Sequence, residues 1–563
     1  MKRNIIHKIL ISAAVLFCLN SCTNLDTIWY DKVTPETFYK SQKEVYSAMN
    51  RPFTHFNWYM GYERWLAQEV TADQFSIVTK GVNFGGDWER VHHHEWNANT
   101  GIVTSGWGGT TMGVSLCLDV MQDLEKVDYE SIGFTEDDRA AHISQLKTLI
   151  AYFYMRGLDF FGGMPIYEKI EGEGIKARNT DQETFDHIEK LLKEAITKLP
   201  IKNPVIPLDG TIYRGAAAAI LAELYFNAEA YIGKSMYSEC AQICQEILDK
   251  KYGDYDYDKT WFGPHGFDNN KSSEVMWVNP SERTKQEYNW FYAYHYHSLG
   301  RLFFGGDLGG AMNATSMQPS LKPTGEAYGF KLGKPYAKFN DKDLRKKLYK
   351  YESSGRYEGM FIIGDFKTPE GIPILGLEEY ANQPLYFVDK VARFSEVGPG
   401  KKYASISELP STIKDGEENT GVRLVKVPIP TDADLTYRWA PDRPIIRLTE
   451  IYYMLAECKW RAGDKGGAAS LINIIRARNF ENGADPDPCT ANNLDEWRFL
   501  DEWGTEFLGE GRRRTDLIRW GKYVTAEWWD HKPTNDKNLN RFPVPEQAIS
   551  GNNLIKQNPG YSN

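Results

Sequence analysis

Helical periodicity in three separate parts of the chain is the feature that most constrains its fold. Between residues 143 and 158 apolar side chains recur every three or four positions, which predicts a helix with one buried stripe, and the same spacing returns in "TFDHIEKLLKEAITKLP" (184–200). A second pair of such segments is "YRGAAAAILAELYFNAEAY" (213–231) with "YSECAQICQEILDKK" (237–251), and a third is "TEIYYMLAECKWRAGD" (449–464) with "KGGAASLINIIRARN" (465–479). These patterns predict a scaffold of helix pairs joined by short turns.

The turn inside the third pair carries clear helix stop and start signals. Gly463 can adopt the left-handed conformation that ends one helix, and Asp464 can cap the amino terminus of the next. The alanines of the second pair allow a neighbouring helix to approach closely. Paired helices with small residues where they cross resemble tetratricopeptide repeats.

Two long segments without helical periodicity interrupt this scaffold, residues 51–109 and 251–446. Short strands at most are predicted in the second, from "SEVMWVNP", "PLYFVDKVARF" and "TGVRLVKVPIP". Ordered segments of this kind usually form functional surface. We therefore predict a mostly α fold, with a scaffold at about 110–250 and 447–523 and loop-rich insertions on the ligand side. Residues 22–563 are predicted to form a single domain, because helix pairs on both sides of the long insertion must stack to bury their stripes.

The amino terminus predicts export and lipid attachment. A positively charged start precedes an apolar stretch, residues 9–19, that is too short to span a bilayer, so residues 1–21 are predicted to be a signal peptide. "LNSC" (19–22) resembles a bacterial lipobox, which would leave an acylated Cys22 as the membrane anchor. An ordinary signal peptide with an incidental cysteine is the alternative.

Charge and cysteine content exclude several classes of partner. Residues 1–21 carry three positive charges and no negative one, so their removal would change the net charge from −10 to −13. Such an acidic protein is poorly suited to nucleic acid, to anionic polysaccharides or to a membrane surface bound through basic residues. Five further cysteines without CxxC or paired Cys/His spacing predict neither a disulfide framework nor a zinc site, and Cys240 and Cys244 are predicted to be small core residues.

Aromatic residues make up 13% of the chain, and many stand in polar, glycine-rich segments. A flat ring can receive the apolar face of a sugar, and Asn, Asp and Arg can then recognise its hydroxyl groups. "HHHEWNANTGIVTSGW" (92–107) combines both kinds of residue. Trp107 is expected to pack as the start of a helix, whereas Trp96 is predicted either to contact ligand or to pack a core of the insertion itself.

A second aromatic stretch lies in the long insertion, "EYNWFYAYHYHSLGRLFFGGD" (287–307). Trp290, Tyr292, Tyr294 and Tyr296 alternate, so they would share one face of a strand or extended loop. That face is predicted to be either a ligand platform or a buried strand face. Trp261 is a weaker candidate.

The three consecutive histidines, His92, His93 and His94, are predicted to be a solvated polar run. Adjacent side chains cannot all point one way, and no HExxH pattern is present. We therefore predict no metal site and no cofactor. The basic clusters at 343–350 and 511–519 are mixed with acids and are predicted to be solvated or ion-paired helix surface.

Six motifs, in order behind the lipobox, resemble the SusD/RagB family of outer-membrane lipoproteins. "GWGGTTMGVSLCLDVMQDL" (106–124) resembles the early Trp-led helix of the family, although its usual late Asn is replaced around Leu118. The other five are "AYFYMRGLDFFGGMPIY" (151–167), "YRGAAAAILAELY" (213–225), "RPIIRLTEIYYMLAEC" (443–458), "FLDEWGTEFLGEGRRRTDLIRWGKY" (499–523) and "RFPVPEQAISGNNLIKQNPGY" (541–561).

This resemblance implies a cell-surface glycan-binding lipoprotein on the outer membrane of a bacterium of the Bacteroidetes type. The family partner is a SusC-like TonB-dependent transporter, a plugged β-barrel for which the lipoprotein acts as a hinged lid. The resemblance also implies a sugar site in the amino-terminal region, made of an acidic residue, an arginine, a Trp and an Asn. By rough position these are Asp73, Arg90, Trp96 and Asn99, with Trp88 beside them, and the middle insertion supplies further aromatic contacts.

Two other functions remain open. A RagB-like protein would bind oligopeptides instead of glycans, and a glycoside hydrolase would use two carboxylates whose separation no sequence reveals. There is no GxSxG, P-loop or dinucleotide motif in a suitable context. The aromatic excess favours a non-catalytic glycan binder, and the low positive charge favours a neutral polymer such as a fructan, glucan or hemicellulose.

Overall fold

The structure, a computed structural model, describes residues 38–60, 64–80, 85–170, 172–281, 295–305, 311–352, 356–429 and 441–562. Helices dominate these residues, as the sequence predicts. In chain order they are α1 Gln42–Trp58, α2 Gly86–His92, α3 Gly101–Leu124, α4 Glu136–Phe161, α5 Asp181–Lys198, α6 Arg214–Phe226, α7 Ala228–Ile232, α8 Tyr237–Leu248, α9 Gly300–Phe304, α10 Leu448–Arg461, α11 Lys465–Arg476, α12 Glu496–Glu506, α13 Arg513–Arg519 and α14 Glu546–Gly551.

Local signals set the ends of the scaffold helices. Thr135 and Thr180 each form a capping box at the start of α4 and α5, in which the Thr side chain and an acid three residues later satisfy each other's backbone N–H groups. The predicted turn between α10 and α11 is confirmed: Gly463 has a φ of 91°, and Asp464 accepts a hydrogen bond from Gly467 N at 2.8 Å.

The long helices form a continuous stack. α3 packs on α4, α4 on α5, α5 on α6, α6 on α8, α8 on α10 and α10 on α11. The contact between α8 and α10 joins segments that are separated by the whole long insertion. Helices that precede the insertion and helices that follow it therefore form one stack, in which each helix buries its apolar stripe against a neighbour.

Glycines allow α3 to approach its neighbours closely. A Cβ atom at Gly113 would lie 2.4 Å from the Phe153 ring of α4, and one at Gly109 would lie 2.4 Å from the Tyr59 ring, just beyond α1. Both distances are too short for any side chain. Small residues on α3 are thus a requirement of this packing.

The strands are short and pair antiparallel. They are β1 Phe75–Ile77, β2 Val275–Asn279, β3 Thr315–Met317, β4 Lys350–Tyr351, β5 Tyr357–Glu358, β6 Phe361–Ile362, β7 Gly364–Asp365, β8 Tyr386–Phe387, β9 Arg423–Leu424 and β10 Arg443–Arg447. The three segments in which short strands are predicted contain β2, β8 and β9. β2 pairs with β10, which leads directly into α10, and β1 pairs with β3.

Buried ion pairs join β2, β10 and α12 in the interior. Arg447 contacts Glu274 and Glu506 at 2.9 and 3.0 Å and Glu510 at 2.8 Å, and Arg478 contacts the first two of these acids as well. We call this set the Arg447 network.

The segment 511–519 is ion-paired, but it is not helix surface as predicted. Arg513, Arg514 and Asp516 are buried. Arg519 is also buried and contacts Glu457 at 2.9 Å and Asp516 at 2.8 Å. A row of arginines can be interior when acids from several elements neutralise each guanidinium group.

Cys240 and Cys244 are buried core residues, as predicted, and the five cysteines of the described ranges are free. Among the residues that the structure describes, no helix combines the length and the apolar character needed to cross a bilayer.

Candidate ligand-binding face

The short helix α2 presents three polar or aromatic side chains at the surface of the amino-terminal insertion. Asp87 contacts Arg90 Nη1 at 3.3 Å and also accepts a hydrogen bond from Gly101 N at 3.4 Å, so it connects α2 with the start of α3. Trp88 is half-buried beside them, with one part packed against the core. The aromatic ring and the guanidinium group therefore occupy one exposed corner.

Asn99 belongs to the same corner. It lies in the turn that precedes α3, where its backbone N–H donates to the Asn97 side chain at 2.9 Å, and its own amide donates to Glu546 Oε2 at 2.7 Å. Asn99 and Arg90 are exposed. Together we call Asp87, Trp88, Arg90 and Asn99 the α2 face.

A cleft opens where the chain leaves α2. Its volume is about 400 Å³, and it is lined by His93, Glu95, Phe330, Glu527, Trp528, Asp530, His531, Lys532 and Thr534. On one wall the rings of Trp528 and His531 stack with centroids 3.8 Å apart and planes 3° apart. This space, the histidine cleft, combines apolar rings with carboxylates, which is the composition of many small-molecule sites.

The α2 face and the histidine cleft are linked through residues 413 and 414. Lys414 contacts Glu89 of α2 at 2.6 Å, and Ile413 N donates to Asp530 Oδ2 at 2.7 Å. Both features consequently lie on one side of the molecule.

The histidines are not the solvated run that the sequence predicts. His92 is 1% exposed and His94 is 3% exposed, and His531 is buried beside them. α2 ends at His92, and His94 has a φ of 59°, so the chain reverses and inserts these rings into the interior. Only His93 is partly exposed.

Each buried histidine of this cluster uses one ring nitrogen and leaves the other unused. His92 Nε2, His94 Nε2 and His531 Nδ1 lie 3.1, 2.9 and 2.8 Å from backbone carbonyl oxygens. Since a carbonyl only accepts, these nitrogens carry the protons. Within the described ranges, the lone pairs on His92 Nδ1, His94 Nδ1 and His531 Nε2 have no hydrogen-bond partner. An unsatisfied buried polar atom costs about 1–3 kcal/mol.

Electrostatics keeps most of these rings neutral. Burial lowers the pKa of His92 to about 4 and that of His531 to about 3. In contrast, the hydrogen bond to Asp530 raises the pKa of His93. Burial alone would raise the pKa of Asp530, but its hydrogen bonds to His93 and Ile413 N lower it.

Three potential metal-ligating atoms converge at this point. One atom each from His92, His93 and Asp530 lie within 4.8 Å of one another, and His93 Nε2 is 3.4 Å from Asp530 Oδ2. Imidazole nitrogen and carboxylate oxygen are ordinary ligands of zinc-type ions.

Trp96 lies in the core, and the packing alternative is the one that the structure supports. The ring is 4% exposed, donates from Nε1 to the Tyr561 hydroxyl at 2.9 Å and packs edge-to-face on Phe542 at 4.9 Å. No sugar could lie flat on it in this conformation. Trp107 packs on Phe161 at 5.3 Å, as expected.

Two other predicted site residues are also interior. Asp73, which is 1% exposed, accepts hydrogen bonds from Arg513 at 2.6 and 2.9 Å, and although burial alone would raise its pKa, Arg513 holds that pKa below its ordinary value. Tyr296 is 3% exposed and donates to Leu424 O at 3.0 Å. Both side chains serve the packing of the insertions, and neither presents its polar end to solvent.

Of the remaining candidates, Trp261 is buried against Tyr357. Trp290, Tyr292, Tyr294 and Cys22 lie outside the described residues. Among the nine predicted ligand contacts, the structure thus places Trp88, Arg90 and Asn99 together at a surface.

The segment 527–532, "EWWDHK", supplies residues that the sequence reasoning missed. Trp528, Asp530 and His531 are more than 430 residues from His93 along the chain, and no spacing relates them. Only the composition of this segment could have indicated a site, because it places two tryptophans beside an acid and a histidine and shows no helical or strand periodicity.

Other grooves occur among the described residues. One of about 590 Å³ follows α1 and is lined by residues that include Tyr46, Phe53 and Asp209. It contains none of the predicted site residues.

Comparison with known proteins identifies proteins that resemble this chain in sequence and in fold. Residues 309–561 match the model of the SusD family. The chain is 24% identical to the starch-binding protein SusD of Bacteroides thetaiotaomicron over 443 residues, which cover 76% of this chain and 74% of that protein.

Solved structures share the fold over nearly the whole chain. Surface glycan-binding protein A from Bacteroides fluxus matches with a TM-score of 0.63 and 17% identity, covering 92% of this chain and 100% of the other. A laminarin-binding SusD-like protein matches with a TM-score of 0.62 and 18% identity, covering 93% and 100%. The predicted fold class, a helical scaffold with loop-rich insertions of the SusD-like type, is confirmed.

Proposed function

We propose that this chain, whose residues 309–561 match the SusD family model, is a SusD-like, non-catalytic glycan-binding lipoprotein of the outer membrane. It captures an oligo- or polysaccharide at the cell exterior and delivers it to a SusC-like TonB-dependent transporter. Cys22 carries the lipid anchor, and chemical breakdown of the glycan is left to other proteins.

The α2 face is the observation that carries the proposal. Trp88 offers a partly exposed ring, Arg90 offers a planar group of hydrogen-bond donors, and Asn99 offers both a donor and an acceptor near the start of α3. An indole face excludes water together with the C–H face of a sugar ring, and the flanking groups select hydroxyl positions. The histidine cleft adjoins this surface and can admit a further sugar unit.

An uncharged glycan suits the protein best. The net charge of −10 disfavours an anionic polymer, whose approach the protein's own field would oppose. Two relatives are named for starch and for laminarin, which are both uncharged glucans. We therefore propose a neutral glucan or a related polymer as the ligand class.

Affinity electrophoresis of the mature protein through gels that contain single polysaccharides tests the proposal. A neutral glucan in the gel is expected to retard the protein, whereas charged polysaccharides leave its mobility unchanged. Calorimetry with mixed oligopeptides runs in parallel. Heat of binding with peptides, together with no retardation by any glycan, would replace the glycan proposal with peptide binding.

Trp88→Ala tests the location of the site. We expect at least tenfold weaker glycan binding with only a small change in melting temperature, because the ring is only partly buried. Trp58→Ala is the matched control, since Trp58 is 48% exposed on α1, away from the α2 face. Equal glycan affinity in the two variants would remove the α2 face from the proposal.

Cys22→Ala tests the anchor. Cells that express this variant should release the protein into the soluble fraction, because a signal peptide without acylation leaves no membrane attachment. Membrane fractionation measures the result, and continued membrane association would contradict lipid attachment at Cys22.

A further inference from the structure

We propose that His92, His93 and Asp530 form a binding site for one divalent transition-metal ion of the zinc type. The site lies where α2 ends beside the segment 527–534, and two of its residues, His93 and Asp530, line the histidine cleft. The proposal concerns metal binding alone and does not depend on the identity of the glycan.

The distances suit such an ion. In a tetrahedral zinc site with bonds of about 2.0–2.1 Å, two ligand atoms stand about 3.3 Å apart. His93 Nε2 and Asp530 Oδ2 are 3.4 Å apart, and one atom of His92 lies within 4.8 Å of both. A side-chain adjustment of about an ångström would complete the three protein ligands.

The protonation states also suit it. His92 donates from Nε2 to Trp529 O at 3.1 Å, so its lone pair is on Nδ1, a buried atom without a partner among the described residues. We infer from this that Nδ1 is the ligand atom of His92. A metal-ligating histidine commonly donates its second nitrogen to a backbone carbonyl in this way, because that bond fixes the tautomer and the ring orientation. Asp530 is oriented similarly, since Oδ2 accepts from Ile413 N at 2.7 Å.

The backbone holds the ligands in place. Asp530 has a φ of 49°, a left-handed conformation that Asp and Asn tolerate better than other residues with a side chain. His92 is fixed by its position at the end of α2 and by burial against Trp529, whose ring centroid lies 5.4 Å away.

The donor chemistry selects the kind of ion. Two imidazoles and one carboxylate favour Zn²⁺, Ni²⁺ or Cu²⁺, whereas Ca²⁺ and Mg²⁺ prefer oxygen ligands. Because the histidine cleft is open to solvent beside His93 and Asp530, water or a hydroxyl group can complete the coordination.

Titration of the chelator-treated mature protein with Zn²⁺ alone, followed by calorimetry, measures the binding. We expect one ion per chain, and we expect Co²⁺ in place of Zn²⁺ to give the visible absorption bands of a low-coordinate site. His93→Gln and Asp530→Asn should each weaken Zn²⁺ binding at least tenfold. Asparagine keeps the backbone conformation accessible at position 530.

Glu95→Gln is the matched control, because Glu95 lines the same cleft but is not one of the three converging residues. It should leave Zn²⁺ affinity within twofold of the wild type. Melting temperatures establish that each variant is folded. Absence of Zn²⁺ binding by the wild type would overturn the proposal. So would folded His93→Gln and Asp530→Asn variants that bind Zn²⁺ as tightly as the wild type does, since His93 and Asp530 would then form an ion pair only.

Discussion

The Arg447 network and the histidines beside the histidine cleft are both polar regions within the fold. Among the described residues the network leaves one donor, Arg478 Nε, without a partner, whereas the histidines leave acceptor lone pairs. In the network, each arginine faces two or more carboxylates from other elements. In and behind the cleft, the buried histidines His92, His94 and His531 leave lone pairs without partners among the described residues. Buried polar groups that serve only the fold are normally satisfied by the chain itself. The difference teaches that clustered acceptor lone pairs without partners, more than buried charge, mark where a ligand is expected.

The largest effect should come from breaking the network. Arg447→Met removes one guanidinium group and leaves Glu274, Glu506 and Glu510 buried beside too few cations, so we expect the free energy of unfolding to fall by about 3–5 kcal/mol. Arg90→Met is the matched control. Its pair with Asp87 is exposed to solvent, and its loss should cost about 0.5 kcal/mol or less. Urea denaturation compares the two, and a stable Arg447→Met variant would show that the network contributes little.

The second largest effect should come from acid, which protonates the carboxylates of the Arg447 network. Burial alone would raise the pKa of Glu506, but Arg478, Arg447 and Arg345 lower it to about 2 from an ordinary value of 4.5. A depressed carboxyl pKa contributes stability that is present above pH 4.5 and lost as the pH falls towards 2, here on the order of 3 kcal/mol. Burial raises the pKa of Glu69 and Glu450 to about 7, so their contribution grows as the pH falls from 7 to 4.5.

The stabilising contribution of Glu506 should therefore decline only below pH 4.5. The buried histidines His92 and His531, whose pKa values are lowered to about 4 and about 3, should already reduce the free energy of unfolding as the pH falls below 6.5. Urea denaturation at a series of pH values measures this profile. In Arg447→Met the acid-induced loss that Glu506 contributes should be smaller and should end at a higher pH, because one of the cations that lower its folded pKa is gone and that pKa lies closer to the unfolded value of 4.5. Identical profiles for the two proteins would contradict the assignment.

The smallest effect is expected in the cleft. His531→Phe keeps a ring against Trp528 and removes the unpartnered Nε2, but it also removes the hydrogen bond to His92 O. These two changes oppose each other, so unfolding free energy should change by no more than about 1 kcal/mol. Thermal and urea denaturation provide the measurement. If the free energy of unfolding fell as much as in Arg447→Met, His531 would be shown to stabilise the fold as strongly as the Arg447 network does.

The helical scaffold was predictable because its cause is local. Apolar spacing within one segment is enough to predict α4 or α11, and Gly463 with Asp464 predicts the turn between α10 and α11. The positions of β2, β8 and β9 could be predicted from the sequence, but the strands with which they pair could not. β2 meets β10 across more than 160 residues, and nothing in either segment specifies the other.

The candidate site was predictable only in part. Arg90 and Asn99 are exposed and Trp88 is partly exposed, as a ligand-binding role requires. Trp96 and Tyr296 are buried although their sequence surroundings are just as polar. What buries them comes from distant parts of the chain: Phe542 and Tyr561 enclose Trp96, and the backbone of Leu424 accepts from Tyr296. His92 was misjudged for the same reason, since its neighbour Trp529 is 437 residues away.

The strand pair β2–β10 has a consequence for how such proteins diversify. The chain leaves the helical stack at Asn279 and returns at Arg443, two residues that are partners in one hydrogen-bonded ladder. The residues between them enter and leave the stack at one place, but they are also joined to β1 through β3 and to α12 through the Arg345–Glu506 ion pair. Changes of length in this part of the chain can therefore be accommodated beside the β2–β10 pair, whereas its replacement would require new partners for β1 and Glu506.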